Sequence, residues 1–364
     1  MFQRERVGVR VKLTEPAGPA CPTTFPPIVN PEVPPLPCTV CVREETFESL
    51  WPEWTRLIAS RSGFTVFDTP LWQRTWWDEF GQGSALRLIS VCEDGSKPLL
   101  IAPMVMCEGT ASFLGGTDLV DYHDFLAPDG PVAGHIEAVV KALTEESGCR
   151  VIELFSIPGG SPTLEAFPAC ARAGGWQVET AQEDVAPRMD LPASWEAYVE
   201  ALPKHDRHEL RRKMRRIEAA GEVRDYELRA PEEIAAGFDN FMSLHRMSMP
   251  EKAVFMTPER ERFFRRVAAE LAREGVARLR FLEFNGKRVA TSLSWVVGGT
   301  RYLYNSGYDP EHRDLAVGLM NHAYSIRASI AEGLKIYDFM RGNEAYKYHL
   351  GGKDRPVFKM TARR

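Results

Sequence analysis

Fourteen residues toward the end of the chain, YDFMRGNEAYKYHL (337–350), hold an aspartate, an arginine, a glutamate, a lysine, a histidine and three tyrosines. The first few read as a buried strand, and the polar groups follow where that strand leaves the core. Such a set suits acid–base chemistry beside a bound anion. Glu344 or Asp338 could take a proton, directly or through water. Arg341 offers two parallel donors to a carboxylate or phosphate, and Lys347 offers a point charge. Tyr346 or Tyr348 could return a proton to a leaving group. Asp338 alternates with Tyr337 and Phe339, so it reads equally as a structural acid that pairs with Arg341 or caps a turn.

A second feature lies just upstream. The strand RYLYNSGY (301–308) runs through Asp309-Pro310 into a helix that starts near Ala316 or Gly318. Free N–H groups and the helix dipole at such a junction favour an anion, and small residues let the backbone approach it.

The elements that must position these groups form an internal repeat. LRLISVCEDGSKPLLIAPMVM (86–106) is two alternating strands around Asp-Gly, and LRFLEFNGKRVATSLSWVV (279–297) is two strands around Asn-Gly. Each hairpin precedes a helical stretch and a short apolar strand, CRVIELFS (149–156) or LKIYDFMR (334–341). The pattern predicts two related α/β domains, each with a largely antiparallel sheet that receives a later parallel strand through a crossover helix. The expected division is a proline-rich disordered leader over 1–39, a first domain over 40–190 and a second over 191–364. The first copy has GGTDLVDYHDFLAPDG where the second has its Arg313 junction, and it ends in LFSIPGGSP. It therefore keeps the fold and lacks the donor site, while Asp118, Asp121, Tyr122, His123 and Asp124 could still reach an acceptor.

The R-x-x-A-x-G stretch from Arg313 to Gly318 resembles the pyrophosphate signature R-x-x-G-x-G/A of GNAT acyltransferases, with Ala316 where glycine is usual. The basic R-x-x-L-R-R-x-x-R-R segment, SLHRMSM, G-x-x-x-A in the second hairpin and YDFMRGNEAYK resemble the FemAB-like, CelD-type acetyltransferase group, over roughly 45–355. The resemblance implies tandem GNAT domains with the competent site in the second. It implies acetyl-CoA or another acyl-CoA as donor, held by Arg313, Leu315, Ala316, Val317 and Gly318. Backbone N–H groups near Ser306 to Tyr308 would face the thioester carbonyl, in the splay between RYLYNSGY and KIYDFM. Arg341, Lys347, His245 and Asn305 are the substrate-side candidates; His245 is included only because the resemblance covers it.

The acceptor is expected to be a small molecule or a cell-envelope precursor. Two other functions fit the same residues. An aminoacyl-tRNA-dependent Fem-type peptidyltransferase would use the seven Lys and Arg between 204 and 216 for phosphate contacts. A noncatalytic subunit of polysaccharide assembly would leave the Arg313 junction without a role.

Composition narrows the field further. With 44% apolar and 26% charged residues in 364, the chain is globular, and a net charge of -5 disfavours general nucleic-acid coating. No run of eighteen apolar residues and no signal-type N-terminus is present, which predicts a cytoplasmic protein without a membrane span. Seven scattered cysteines, with a lone Cys38-x-x-Cys41, read as ordinary thiols. His205-x-x-His208 lies among arginines that would repel a cation, so no metal is expected.

Overall fold

The computed structural model describes residues 40–364 apart from 61–62, 96 and 128–132. The proline-rich leader and Cys38 lie outside the described residues. Chain order in the first half is β1 (Val40–Glu45), α1 (Phe47–Ser60), α2 (Pro70–Phe80), β2 (Ala85–Glu93), β3 (Leu100–Cys107), β4 (Thr110–Phe113), α3 (Ala133–Ser147), β5 (Val151–Pro158), α4 (Thr163–Ala173) and β6 (Gln177–Val185). There follow β7 (Arg188–Asp190), α5 (Trp195–Ala201), α6 (Lys204–Ala220), β8 (Val223–Leu228), α7 (Pro231–Ser248), α8 (Pro250–Phe255), α9 (Pro258–Arg273), β9 (Ala277–Phe284) and β10 (Lys287–Val297). The chain closes with β11 (Thr300–Tyr308), α10 (Val317–Ala331), β12 (Ile336–Asp338), α11 (Ala345–His349) and β13 (Pro356–Arg363).

Both expected hairpins form. Asp94 and Gly95 have φ of 50° and 70°, and Asn285 and Gly286 have 49° and 76°. In the second hairpin Phe284 pairs with Lys287, so the two left-handed residues are the whole turn, with the twist that matches its strands. In the first, pairing ends at Val91 and Leu100, and Asp94-Gly95 lies within a longer connection. In each copy the third strand then receives a parallel partner across a helix: β4 pairs with β5 after α3, and β11 with β12 after α10.

Among the described residues these strands make two mixed, mostly antiparallel sheets flanked by helices. Their orders are β1-β2-β3-β4-β5-β13-β6 and β7-β12-β11-β10-β9-β8. The expected boundary at 190/191 is crossed twice. β7 pairs with β12 of the second sheet, whereas β13, at the end of the chain, lies between β5 and β6 of the first. Alternation marks a segment as a strand but carries no record of which sheet it joins.

The halves also share a core. Trp72 on α2 is fully buried and meets Phe263, Trp295 and Tyr304 edge-on, at 5.3, 5.9 and 5.5 Å between centroids. Leu119, Val120 and Tyr122 belong to the same apolar cluster as Phe241, Leu293 and Tyr302. This seam fixes the 117–122 loop of the first half against the open end of the second sheet.

Candidate active site

The cleft arises where β11 and β12 part. Their parallel ladder ends at Tyr302 opposite Asp338. Beyond it, Phe339 and Gly342 donate to the carbonyls of Pro187 and Val185, while β11 continues to Tyr308 beside β10 alone. Tyr304 is an extra residue in β11, since Leu293 faces Asn305 and Ser294 faces Leu303. Such a bulge bends the strand and re-aims its side chains. The tyrosine hydroxyl reaches the Leu119 carbonyl at 2.9 Å. Three residues on, a Cβ at Gly307 would lie 2.4 Å from the His245 backbone, so only glycine lets α7 pack this close.

The resulting cavity holds about 430 Å³. The Ser306 carbonyl accepts from Lys252 Nζ at 2.6 Å, and the Asp309 N–H turns the other way, to Val289 on β10. Strand alternation therefore aims the Ser306 and Tyr308 amides into the cavity.

At its other end the cavity meets the start of α10. Ala316 adopts φ 54°, ψ 37° at the N-cap, and no side chain caps the helix. The Ala316 carbonyl already accepts from Met320, so the N–H groups of Val317, Gly318 and Leu319 are the helix's unpaired first donors. Those three residues line the cavity together with Arg313, which is exposed and has no ion-pair partner among the described residues. The left-handed Ala316 explains why glycine suits this position. An alanine there costs about 1 kcal/mol, part of which returns through the unfolded state. Ala316→Gly is accordingly expected to raise stability by roughly 0.5 kcal/mol in urea denaturation, and a comparable loss would contradict the strain.

Of the residues expected from the sequence, Asn305, Arg313, Ala316, Val317, Gly318, Arg341, Glu344, Tyr346 and Lys347 line this one cavity. Leu315 does not; it packs against the apolar cluster of the second half. His245 lies behind the wall, with Nε2 3.3 Å from Asn305 Oδ1, and burial lowers its pKa to about 4.

Four expectations for the polar strand exit need correction. Asp338 is buried away from the cavity, where it accepts from the Tyr122 hydroxyl at 3.0 Å and from the Met340 N–H at 2.8 Å. It is the structural acid of the two alternatives, though its partner is Tyr122 rather than Arg341. The Arg341 guanidinium is committed to the first half, through the Ser156 hydroxyl at 3.0 Å, Glu183 at 2.9 Å and the Thr117 carbonyl. Lys347 is buried and gives its three protons to the carbonyls of Met340, Arg341 and Gly342, at 3.0, 2.8 and 3.1 Å. Neither cation is free to clamp an acceptor anion. Tyr348 bonds Asp354 at 2.7 Å outside the cavity.

Burial raises the Asp338 pKa from 3.8 to about 6, against the opposing Met340 and Tyr122 hydrogen bonds. Its contribution to stability is therefore fully present below the unfolded value and lost as pH rises through the folded one. Two units correspond to about 3 kcal/mol. Native stability relative to Asp338→Asn should grow by that amount between about pH 7 and about pH 4; a pH-independent difference would contradict it.

Three cavity residues escaped the site expectations or were only half-seen. Asp121 of the first half reaches in, and burial raises its carboxyl while Arg341 and Lys347 oppose the shift. His322 is one helical turn beyond Gly318, so the period of α10 could have shown it. It stacks on Tyr346 at 4.9 Å, and burial followed by Lys252 and Lys347 holds its pKa at about 3. Lys252, on six-residue α8, carried no sequence signal. In the first copy the corresponding space is filled. The His123 N–H bonds the Ser156 carbonyl at 2.9 Å, and a cavity of only about 10 Å³ remains beside the end of β4. Among the described residues no group of three or more His, Cys, Asp or Glu is arranged to hold a metal, and no helix is long and apolar enough to cross a membrane.

A splayed parallel pair with an uncapped helix start between its strands is the donor geometry expected of one superfamily, and residues 204–348 match the family model described as the acetyltransferase (GNAT) domain. The chain carries a GNAT domain over those residues. Its fold is that of a tandem, FemAB-like GNAT protein. It superimposes on FemX with a TM-score of 0.60 at 12% identity, covering 88% of this chain and 96% of that one. The C-terminal domain of a putative lysylphosphatidylglycerol synthetase from Agrobacterium fabrum gives 0.56 at 9%, covering 87% and 92%. A tandem GNAT protein from the clavulanic acid biosynthesis pathway, solved without AcCoA, gives 0.50 at 15%, covering 88% and 98%. No curated protein matches the sequence.

Proposed function

We propose that this GNAT protein transfers an acyl group, acetyl in the simplest case, from acyl-CoA to an amine. The observation that carries the reading is continuity. One cavity joins the free amides of Val317 to Leu319 to the cleft-facing amides of Ser306 and Tyr308. The first set, with Arg313, suits a pyrophosphate. The second suits a carbonyl oxygen on which charge develops during acyl transfer.

The acceptor nitrogen approaches from the side of Glu344 and Asp121. Glu344 is exposed at the cavity mouth, 2.9 Å from Lys347, and is the base that takes the amine proton. With Arg341 and Lys347 committed to the protein, a neutral or cationic amine suits this end better than an anionic one. An amino sugar or another cell-envelope precursor meets that description. Thiol release from acetyl-CoA in the presence of a panel of primary amines tests the reading, and silence across acetyl and longer acyl-CoAs would contradict it.

One observation favours a second reading, transfer from aminoacyl-tRNA. On α6, Arg207 and Arg211 pair with Glu200, and Arg212 and Lys213 pair with Glu209. Lys204, Arg215 and Arg216 are exposed without ion pairs among the described residues. Three free cations on one helix could meet phosphates, with binding that weakens as salt rises. A gel shift with charged and uncharged tRNA at two salt concentrations decides this, and no shift at either would exclude it.

A further inference from the structure

The reaction above makes a thiolate, and a proton must reach it. Tyrosine, the residue expected from the sequence, is poorly placed. The Tyr346 hydroxyl is pushed far up, by burial first and by the Glu344 charge next, and the ring is stacked on His322. The Tyr304 hydroxyl is given to the Leu119 carbonyl, and Tyr348 bonds Asp354 outside the cavity. The Tyr308 ring lies 3.1 Å from where a Gly318 Cβ would be, at the phosphate end rather than the acyl end.

Of the other cavity groups, Asp121 has its carboxyl raised by burial but is held against Arg341 at 3.5 Å, and the imidazole and the remaining cations hold no available proton. His322 is neutral at physiological pH. All three Lys347 protons are bound to carbonyls. Arg313 and Arg341 do not deprotonate.

Lys252 is different in place and in surroundings. It is half-buried on α8, lines the cavity, and donates to the Ser306 carbonyl at 2.6 Å. That carbonyl points to the same side as the Ser306 N–H, which faces the reacting carbonyl. An ammonium has three protons, so two remain beyond the one given to Ser306. We propose that Lys252 is the catalytic acid of this cleft, passing a proton from Nζ to the departing sulfur; the proposal rests on the thioester donor inferred above.

The step balances. The amine lone pair forms the C–N bond, and the C–S electron pair leaves with sulfur. Sulfur takes a proton from Lys252, the new amide nitrogen loses one to Glu344, and the glutamic acid reprotonates Lys252 directly or through water. Amide and free thiol are the net products. Burial lowers the Lys252 pKa, with Glu344 opposing. The charged or titratable groups facing it are Glu344 before α11, His322 on α10 and His245 on α7.

The test joins three measurements on the full chain. Calorimetry first establishes acetyl-CoA binding to native protein, Lys252→Met and Lys252→Arg. Thiol release is then followed with glucosamine, ethanolamine and water as acceptors, across pH. Lys252→Met is expected to bind acetyl-CoA like the native protein, turn over about 100-fold more slowly, and lose the fall in rate at high pH. Lys252→Arg keeps the charge without an available proton, so it should be equally slow. Finally, trace acetic-anhydride labelling should show Lys252 titrating below the other lysines and protected by acetyl-CoA. Native turnover in Lys252→Met, or rescue by Lys252→Arg, would overturn the acid role while leaving the donor intact. Absence of acetyl-CoA binding to native protein would overturn the donor reading and this proposal with it.

Discussion

A chain ended after Arg355 is expected to lose cooperative unfolding altogether. The missing strand, β13, lies between β5 and β6 in the first sheet and pairs with both along its length. Val357, Met360 and Ala362 are fully buried, and Met360 and Ala362 sit in the core with Ile152, Leu154 and Phe167. Burial of a Val or Met side chain contributes about 1.5–3 kcal/mol each, before the two ladders are counted. Their sum competes with the whole net stability of an ordinary domain, about 5–15 kcal/mol. The reach extends to the cavity, because Glu183 at the end of β6 and Ser156 on β5 hold Arg341. Thermal denaturation followed by circular dichroism checks this, and a sharp transition near the native midpoint would show that the exchange of strands is dispensable.

Glu227→Ala is the single substitution expected to cost most. Arg301 is fully buried, with Nη1 2.5 Å from Glu227 and Nη2 3.2 Å from Glu332. Arg278 and Arg280 approach the same Glu227 at 3.5 and 3.6 Å. Burial alone would raise the Glu227 pKa, but Arg301 and its neighbours outweigh it and lower the carboxyl. Its contribution is thus present above the unfolded value and lost as pH falls through the depressed folded one. Removing the carboxylate leaves buried guanidinium groups uncompensated, a cost of about 3–5 kcal/mol at neutral pH. Urea denaturation should show that loss shrinking in acid. A cost below about 1 kcal/mol would mean that Glu332 alone satisfies Arg301.

What could be read from the sequence follows from how local each signal is. Asp94-Gly95 and Asn285-Gly286 announce their hairpins because few other pairs accept two left-handed residues. The Arg313 to Gly318 junction was legible because a strand, a turn and a helix follow in order, and the unusual Ala316 proved to be the strained N-cap. The commitments of Arg341 and Lys347 are not legible, for the opposite reason. The partners of Arg341 are Thr117, Ser156 and Glu183, more than a hundred residues away in sequence, and those of Lys347 are backbone carbonyls that no side-chain pattern reveals. Asp338 was ambiguous because its partner, Tyr122, belongs to the other half. Lys252 was silent, since one lysine on a short exposed helix looks like any surface lysine.

The central claim is that the start of α10 holds the donor's phosphates, and Gly318→Asp tests it most directly. An acidic residue in the first turn of a helix is favourable to the helix itself, and leaving glycine improves helix propensity by about 0.5–1 kcal/mol. The variant should therefore fold at least as well as the native protein, provided the Tyr308 ring yields slightly to the new Cβ. Isothermal calorimetry with acetyl-CoA is expected to show binding to native protein and a loss of about 100-fold or more in Gly318→Asp, the scale of about 3 kcal/mol. Equal affinity in the two proteins would contradict the account.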